Sequence, residues 1–161
     1  MPDVRMRLMQ QEAADRIRDA DILATSGNRR SDAPYLLQLL ALEILLKRLG
    51  LKAHSKIPHG HNYKQLFCDL PAEQQRRILK KAKLRMGAEA DYSDMPRLLE
   101  LFSGNFIRLR YPYEEYAGMS EDEYIAIGTE WIKAGAPVEK ATFQYFPNEL
   151  RGLLDALQEE E

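Results

Sequence analysis

Three histidines, His54, His59 and His61, fall within eight residues of one another. An imidazole changes charge near neutral pH, so such a group could supply general acid and base, or hold zinc if further donors joined it. No cysteine or carboxylate at ligand spacing completes a metal shell, and neither a metal nor another cofactor is expected. The blander expectation has His61 orienting a turn, with His54 and His59 solvated. Arg108, Arg110, Tyr111, Tyr113 and Glu114 form a second group. Guanidinium forks match phosphate and tyrosine faces stack on bases, although the 12 Asp/Glu of residues 114–161 offer the arginines partners within the chain. A third group, Arg76, Arg77, Lys80, Lys81, Lys83 and Arg85, could follow a phosphate backbone with affinity that falls as salt rises. No aromatic residue interrupts that run, and a lysine-rich helix face is commonly just solvated. Glu43 sits in the most apolar stretch of the chain, four residues before Lys47, where an ion pair explains it. Without that partner a buried Glu43 would be a site candidate. Cys68, near Phe67 and Leu70, is expected to pack as a small apolar residue.

The element that must position these groups is residues 33–51, APYLLQLLALEILLKRLGL, a helix apolar nearly all round and hence expected in the middle of a bundle. Ser31 or Asp32 can cap it, Pro34 suits its first turn and Gly50 can end it. Before it, Met9, Ala13, Ile17, Ala20 and Ala24 mark an amphipathic helix from residue 4 to about 25, with Glu12 and Arg16 one turn apart and Ser26-Gly27-Asn28 as its stop. After it, His61 or Asn62 opens a short helix carrying Tyr63, Leu66 and Phe67. Pro71 starts a helix to about residue 86 with Ile78, Leu79, Ala82 and Met86 on one arc. Ser93 or Asp94 caps a helix burying Leu98, Leu99, Leu101 and Phe102, with Gly104 as its terminator. Ile107, Leu109, Tyr111 and Tyr113 then alternate with polar residues, which predicts an extended segment, although the helix could continue to about Arg110. Ser120 and Glu123 form a capping box opening a helix through Tyr124, Ile127 and Trp131 to Gly135. Residues 142–146 are strand-like and could pair with residues 106–111, and Pro147 starts a last helix with Leu150, Leu153, Leu154 and Leu157.

At 161 residues, 45% hydrophobic and 30% charged, the chain is expected to be one domain with a sizeable core. One cysteine permits no internal disulfide, and without an apolar leader a reducing, cytoplasmic setting is expected; the apolar helix is too short and too often interrupted for a membrane span. The net charge of −2 conceals an asymmetry: residues 47–85 hold 11 Lys/Arg and 2 Asp/Glu, whereas residues 114–161 hold 3 Lys/Arg and 12 Asp/Glu. Charges segregated in this way either face each other, within or between subunits, or present a basic face to a polyanion. No phosphate-cradling glycine loop, Gly-x-Ser-x-Gly elbow or Cys-x-x-Cys pair is present, so the common enzyme classes gain no support.

Three stretches together resemble the HEPN family of small helical-bundle proteins. YLLQLLALEILLK, from Tyr35 to Lys47, is similar to that family's YLLxLALExLLKAL helix. GHNYKQLF, from Gly60 to Phe67, is similar to its GHDLxxLF turn and helix. NFIRLRYPYE, from Asn105 to Glu114, is similar to its RYP or WRYxYE segment. The resemblance covers about the first 115 residues, in the family's order. It implies an up-and-down bundle of four to five core helices (residues 4–115) that forms a homodimer; residues 116–161 are then an accessory C-terminal helical region, from which residues 142–146 could supply one strand of the short two-stranded ribbon read above. Many members are metal-independent ribonucleases with an arginine followed, four to six residues on, by a histidine at the start of the last core helix. Here no histidine follows Arg108 or Arg110, and the matching spacing Arg48 to His54 ends the second helix instead.

The resulting expectation is a mainly α, non-catalytic module that binds a nucleotide, an RNA or a protein partner encoded nearby, in the manner of toxin–antitoxin or defence components. Its ligand contacts would come from Arg108, Arg110, Tyr111, Tyr113, Glu43 and His61. One alternative is a ribonuclease in which Arg108 or Arg110 meets His59 or His61 in space. Another is a structural antitoxin-like partner whose acidic tail neutralises a basic protein. Tyr124, Trp131 and Phe143 could build an accessory lobe or a dimer contact in residues 118–147.

Overall fold

The computed structural model describes residues 4–27 and 31–160, so Asn28 of the expected first stop and Glu161 of the acidic tail lie outside the described residues. The protein is mainly α. Its elements are α1 (Val4–Ser26), α2 (Ala33–His54), α3 (Tyr63–Cys68), α4 (Ala72–Met86), α5 (Met95–Arg108), α6 (Glu121–Lys133) and α7 (Pro147–Gln158), with short 3-10 turns at Gly87–Glu89, Pro112–Tyr116 and Val138–Lys140. No helix among the described residues is long and apolar enough to cross a membrane.

α2 is the axis of the molecule. It packs against α1, α3, α5 and α7, and Leu39, Leu42, Leu45, Leu46 and Leu49 lose essentially all contact with solvent. A helix with so little polar surface gains most of its stability from being enclosed, at about 2 kcal/mol per leucine side chain removed from water. α1 lies against it through Ala13, Ile17 and Ala20, whose small or β-branched side chains let the two backbones approach. The Glu12–Arg16 pair forms on the outer face of α1.

α2 does not stop at Gly50. It runs one turn further, to His54, and is closed by Ser55 at φ +56°, whose N–H donates to the Leu51 carbonyl. Gly50 is there for close approach: a Cβ on it would stand 2.6 Å from Cγ of Pro58 in the following loop. The same misreading applies at Gly104, which is inside α5. That helix is capped by Asp94, whose side chain accepts from the Arg97 N–H, and it ends only at Arg108.

The two-stranded ribbon does not form, and no strand occurs among the described residues. Period two at residues 107–113 is a helix end followed by a 3-10 turn, with Leu109 buried and Ile107, Tyr111 and Tyr113 exposed. Residues 142–146 do lie beside α5, but side chains make the link. Asn105 Nδ2 donates to the Gln144 carbonyl at 2.6 Å and the Arg108 guanidinium to the Thr142 carbonyl at 2.9 Å. Proline at 112 and the continuing helix remove the backbone partners a ladder would need.

α7 closes the core against α4 and α2, burying Leu150, Leu153, Leu154 and Leu157. The region beyond residue 115 therefore divides: α7 is part of the core, Phe143 packs against it, and α6 stands apart with no buried residue.

Candidate functional site

The site grows from a carboxylate that the core cannot leave alone. Glu43 faces inward from α2 with a side chain 7% exposed, and a charge removed from water needs partners. Its Oε1 accepts from Lys47 Nζ at 2.8 Å, the pair that the four-residue spacing predicts. Its Oε2 meets Nδ1 of His61 at 2.8 Å, a contact that spacing could not reveal because it crosses from α2 to the turn before α3.

That turn is built to present His61. Gly60 sits at φ +84°, which reverses the chain. Asn62 then caps α3, its side chain accepting from the Gln65 N–H at 3.0 Å. The next residue, Tyr63, anchors the turn to the core: its N–H donates to Ser103 Oγ at 2.8 Å and its hydroxyl donates to the Leu39 carbonyl at 3.0 Å. Burial above all, reinforced by the nearby Glu43 charge, pushes the Tyr63 phenol far above its usual range, so it remains a neutral donor.

A carboxylate accepts hydrogen bonds, so His61 must carry its proton on Nδ1, and Nε2 is left on the other side of the ring. The ring is half exposed and rests on Phe106 of α5, with centroids 5.6 Å apart. The guanidinium of Arg110 lies 5.1 Å from the centroid of the same phenylalanine. Phe106 is thus a shared platform for His61 and Arg110, and it also contacts Tyr63. On the α1 side, Glu43 and Lys47 border a groove of about 600 Å³ lined also by Leu8, Met9 and Ile44.

The remaining expected residues separate from this cluster. Arg108 turns the other way: its Nε donates to Glu115 at 2.6 Å and its guanidinium lies 4.9 Å from the Phe143 ring centroid, so it ties the 3-10 turn and residues 142–146 to α5. The hydrogen bond to Glu115 raises the Arg108 pKa and lowers that of Glu115. Tyr111 and Tyr113 are exposed and meet edge-on at 6.3 Å, following Arg110 on the surface. His59 is exposed in the loop before Gly60, whereas His54 Nε2 donates to the Asp69 carbonyl at 2.7 Å and fastens the end of α2. Among the described residues no group of three or more His, Cys, Asp or Glu is arranged to hold a metal.

The basic run on α4 is split between two roles. Arg77 and Lys81 bind Glu160, Arg77 through Nε at 3.0 and 3.1 Å and Lys81 through Nζ at 3.0 Å. Arg85 pairs with Glu159 and approaches Asp155. These contacts join the cationic middle of the chain to its acidic end. Arg76, Lys80 and Lys83 remain exposed on the outer face.

Sequence reasoning singled out Glu43, His61 and Arg110 but missed Phe106, the ring that unites the last two. A phenylalanine one helical turn before an arginine is the signal that could have found it. In comparisons with protein-family models, with curated proteins and with solved structures, nothing matches the chain.

Proposed function

We propose that the protein is a HEPN-like, non-catalytic module that binds a phosphate-bearing ligand, RNA or nucleotide, over the face formed by His61, Arg110, Tyr111 and Tyr113. The observation that carries this reading is the shared Phe106 platform, which holds an imidazole oriented by Glu43 and a guanidinium on one aromatic ring. Arg110 offers phosphate a planar fork of donors, His61 adds a donor when protonated, and the two exposed tyrosines offer faces for bases. The outward cations Arg76, Lys80 and Lys83 would extend the electrostatic footprint without reading sequence. The resemblance of three segments to the HEPN family supports the same reading and extends the proposal to a role beside a partner in a toxin–antitoxin or defence system.

Fluorescence anisotropy with a short single-stranded RNA tests it. Association should weaken as salt rises and fall by about tenfold in Arg110→Ala, the loss expected for one charge-assisted phosphate contact. Absence of any salt-sensitive association with RNA or nucleotides overturns it.

One observation favours a second reading, phosphodiester cleavage. With Nδ1 held by Glu43, Nε2 of neutral His61 is a base placed as in a carboxylate–histidine pair, and Arg110 could stabilise a pentavalent phosphorane. His61 would take the 2′-hydroxyl proton while the 2′-oxygen attacks phosphorus, and the P–O5′ bond breaks with the leaving 5′-oxygen taking a proton from water, giving a 2′,3′-cyclic phosphate and a 5′-hydroxyl. Such ends, formed by wild type and not by His61→Ala, would establish cleavage; intact RNA after prolonged incubation would remove it.

A further inference from the structure

Arg48 is a guanidinium that the packing of the core does not explain. It follows the enclosed leucines of α2 and is itself only 8% exposed. Its Nη2 donates to the Glu160 carbonyl at 2.5 Å, whereas Nε is buried and meets no acceptor among the described residues. An N–H of a charged group that has lost water and gained no acceptor is costly, and such a group calls for a partner. Burial lowers the Arg48 pKa, and the charge of Glu160 opposes that shift.

Arg48 lines a groove of about 490 Å³ where the N-terminal half of α1 lies against the last turns of α2. Met6, Ala14 and the methylene stems of the longer side chains give the groove apolar walls. Its charged residues are Arg7, Arg48 and Lys52, with no acidic side chain in the lining among the described residues. Arg48 and Lys52 stand four residues apart on one helix, a spacing at which like charges repel. Gln10 completes the polar set. Its Oε1 is buried without a partner, and its Nε2 reaches the Gln158 carbonyl only at a long 3.4 Å. A side chain tied so loosely can swing aside at little cost.

One ligand chemistry answers all of these features. An anion balances the three cations, an apolar body covers the walls, and an oxygen acceptor satisfies Nε. A carboxylate is planar and matches the edge of a guanidinium, whereas bare phosphate would leave the walls uncovered. The volume lies within the range of clefts that hold small molecules. We propose that the groove between α1 and the end of α2 is a binding site for a small organic acid, its carboxylate accepting from Arg48 Nε and its hydrocarbon body resting on Met6 and Ala14. Arg7, exposed at the rim, adds attraction, and Gln10 moves to admit the carboxylate. The site shares no residue with the Phe106 platform and does not depend on the ligand reading above.

Isothermal titration calorimetry with octanoate tests the proposal, with octanamide as a neutral probe of the same shape. Octanoate should bind saturably with a Kd of about 1 mM, the strength expected of so small a ligand. Octanamide should bind at least about tenfold more weakly, as should octanoate to Arg48→Met, which keeps the stem and removes the charge. Arg48 also braces the Glu160 carbonyl, so two changes away from the core accompany it. Arg7→Gln should weaken octanoate by several-fold, and Ala14→Leu, a good helix former that fills the groove, by about tenfold with helix content unchanged. The control Arg18→Gln, an exposed residue of α1 outside the groove, should bind octanoate as wild type does. No saturable binding of octanoate, equal binding of octanamide, or an affinity unchanged in Ala14→Leu overturns the proposal.

Discussion

Two carboxylates of this protein are withdrawn from solvent and surrounded by cations, and they end in opposite situations. Glu160 has a side chain 1% exposed; Arg77 grips both of its oxygens, Lys81 reaches one, and Arg48 donates to its backbone carbonyl at 2.5 Å. Both cations on its carboxylate are consumed in joining the end of the chain to α4. Glu43 is nearly as buried, but one of its two partners is an imidazole with a second nitrogen facing outward across a half-exposed ring. The first arrangement closes on itself and can only stabilise. The second passes its orientation on to a group that can still act. Burial of a charge therefore does not distinguish structure from function here; the unspent valence of its partner does.

The difference can be broken from either side. Glu160→Gln should remove about 2 kcal/mol of unfolding free energy in urea titrations at neutral pH, less than a fully enclosed pair because Arg77 and Lys81 are partly solvated. RNA association should be unaffected. The hydrogen bond from Arg77, helped by Lys81, outweighs burial and holds the Glu160 carboxyl at about 2, against an ordinary value of 4.5. A depressed carboxylate stabilises the fold fully above its unfolded pKa, and that contribution disappears as pH falls through the folded one. The stability gap between wild type and Glu160→Gln should thus be constant above about pH 5 and close between about pH 4.5 and 2. A gap that persists at pH 2 would contradict the clamp.

At the other carboxylate, Glu43→Gln should cost about 1–2 kcal/mol, since it leaves Lys47 without its counter-charge. Unlike the Glu160 change, it should also weaken RNA association, by several-fold, because His61 is no longer held. The smallest effects separate two neighbouring arginines. Arg108→Ala should lower stability by about 1 kcal/mol with RNA association unchanged, as Glu115, Phe143 and the Thr142 carbonyl lose their partner. Arg110→Ala should alter stability by no more than about 0.5 kcal/mol while reducing association. If the two variants behave alike, the division of that segment is wrong.

Local rules made most of the helices legible. Leucine density marked α2 as central, the Ser120 and Glu123 spacing marked the start of α6, and the four-residue step joined Glu43 to Lys47. Glycines misled because the residue has two uses: Gly50 and Gly104 read as stops, whereas Gly50 makes room for Pro58 and Gly104 lies inside a helix. Of the contacts that define the site, Arg110 over Phe106 was missed although a four-residue spacing hints at it, and His61 with Glu43 becomes visible only after folding. The Glu160 clamp was hidden because an acidic terminus looks solvated, and its partners lie about 80 residues earlier in the chain. Segregated charge left two outcomes open, the halves of the chain facing each other or a basic face presented to a polyanion, and Arg77, Lys81 and Arg85 take the first while Arg76, Lys80 and Lys83 stay exposed.

The most direct test of the central claim is a titration of the three histidines by imidazole ¹⁵N–¹H NMR while a short single-stranded RNA is added. His61 should respond strongly at Nε2, and His54, tied to the Asp69 carbonyl, should stay fixed. The His61 response should disappear in Glu43→Gln. An unmoved His61, or an equal response in wild type and Glu43→Gln, would contradict the account.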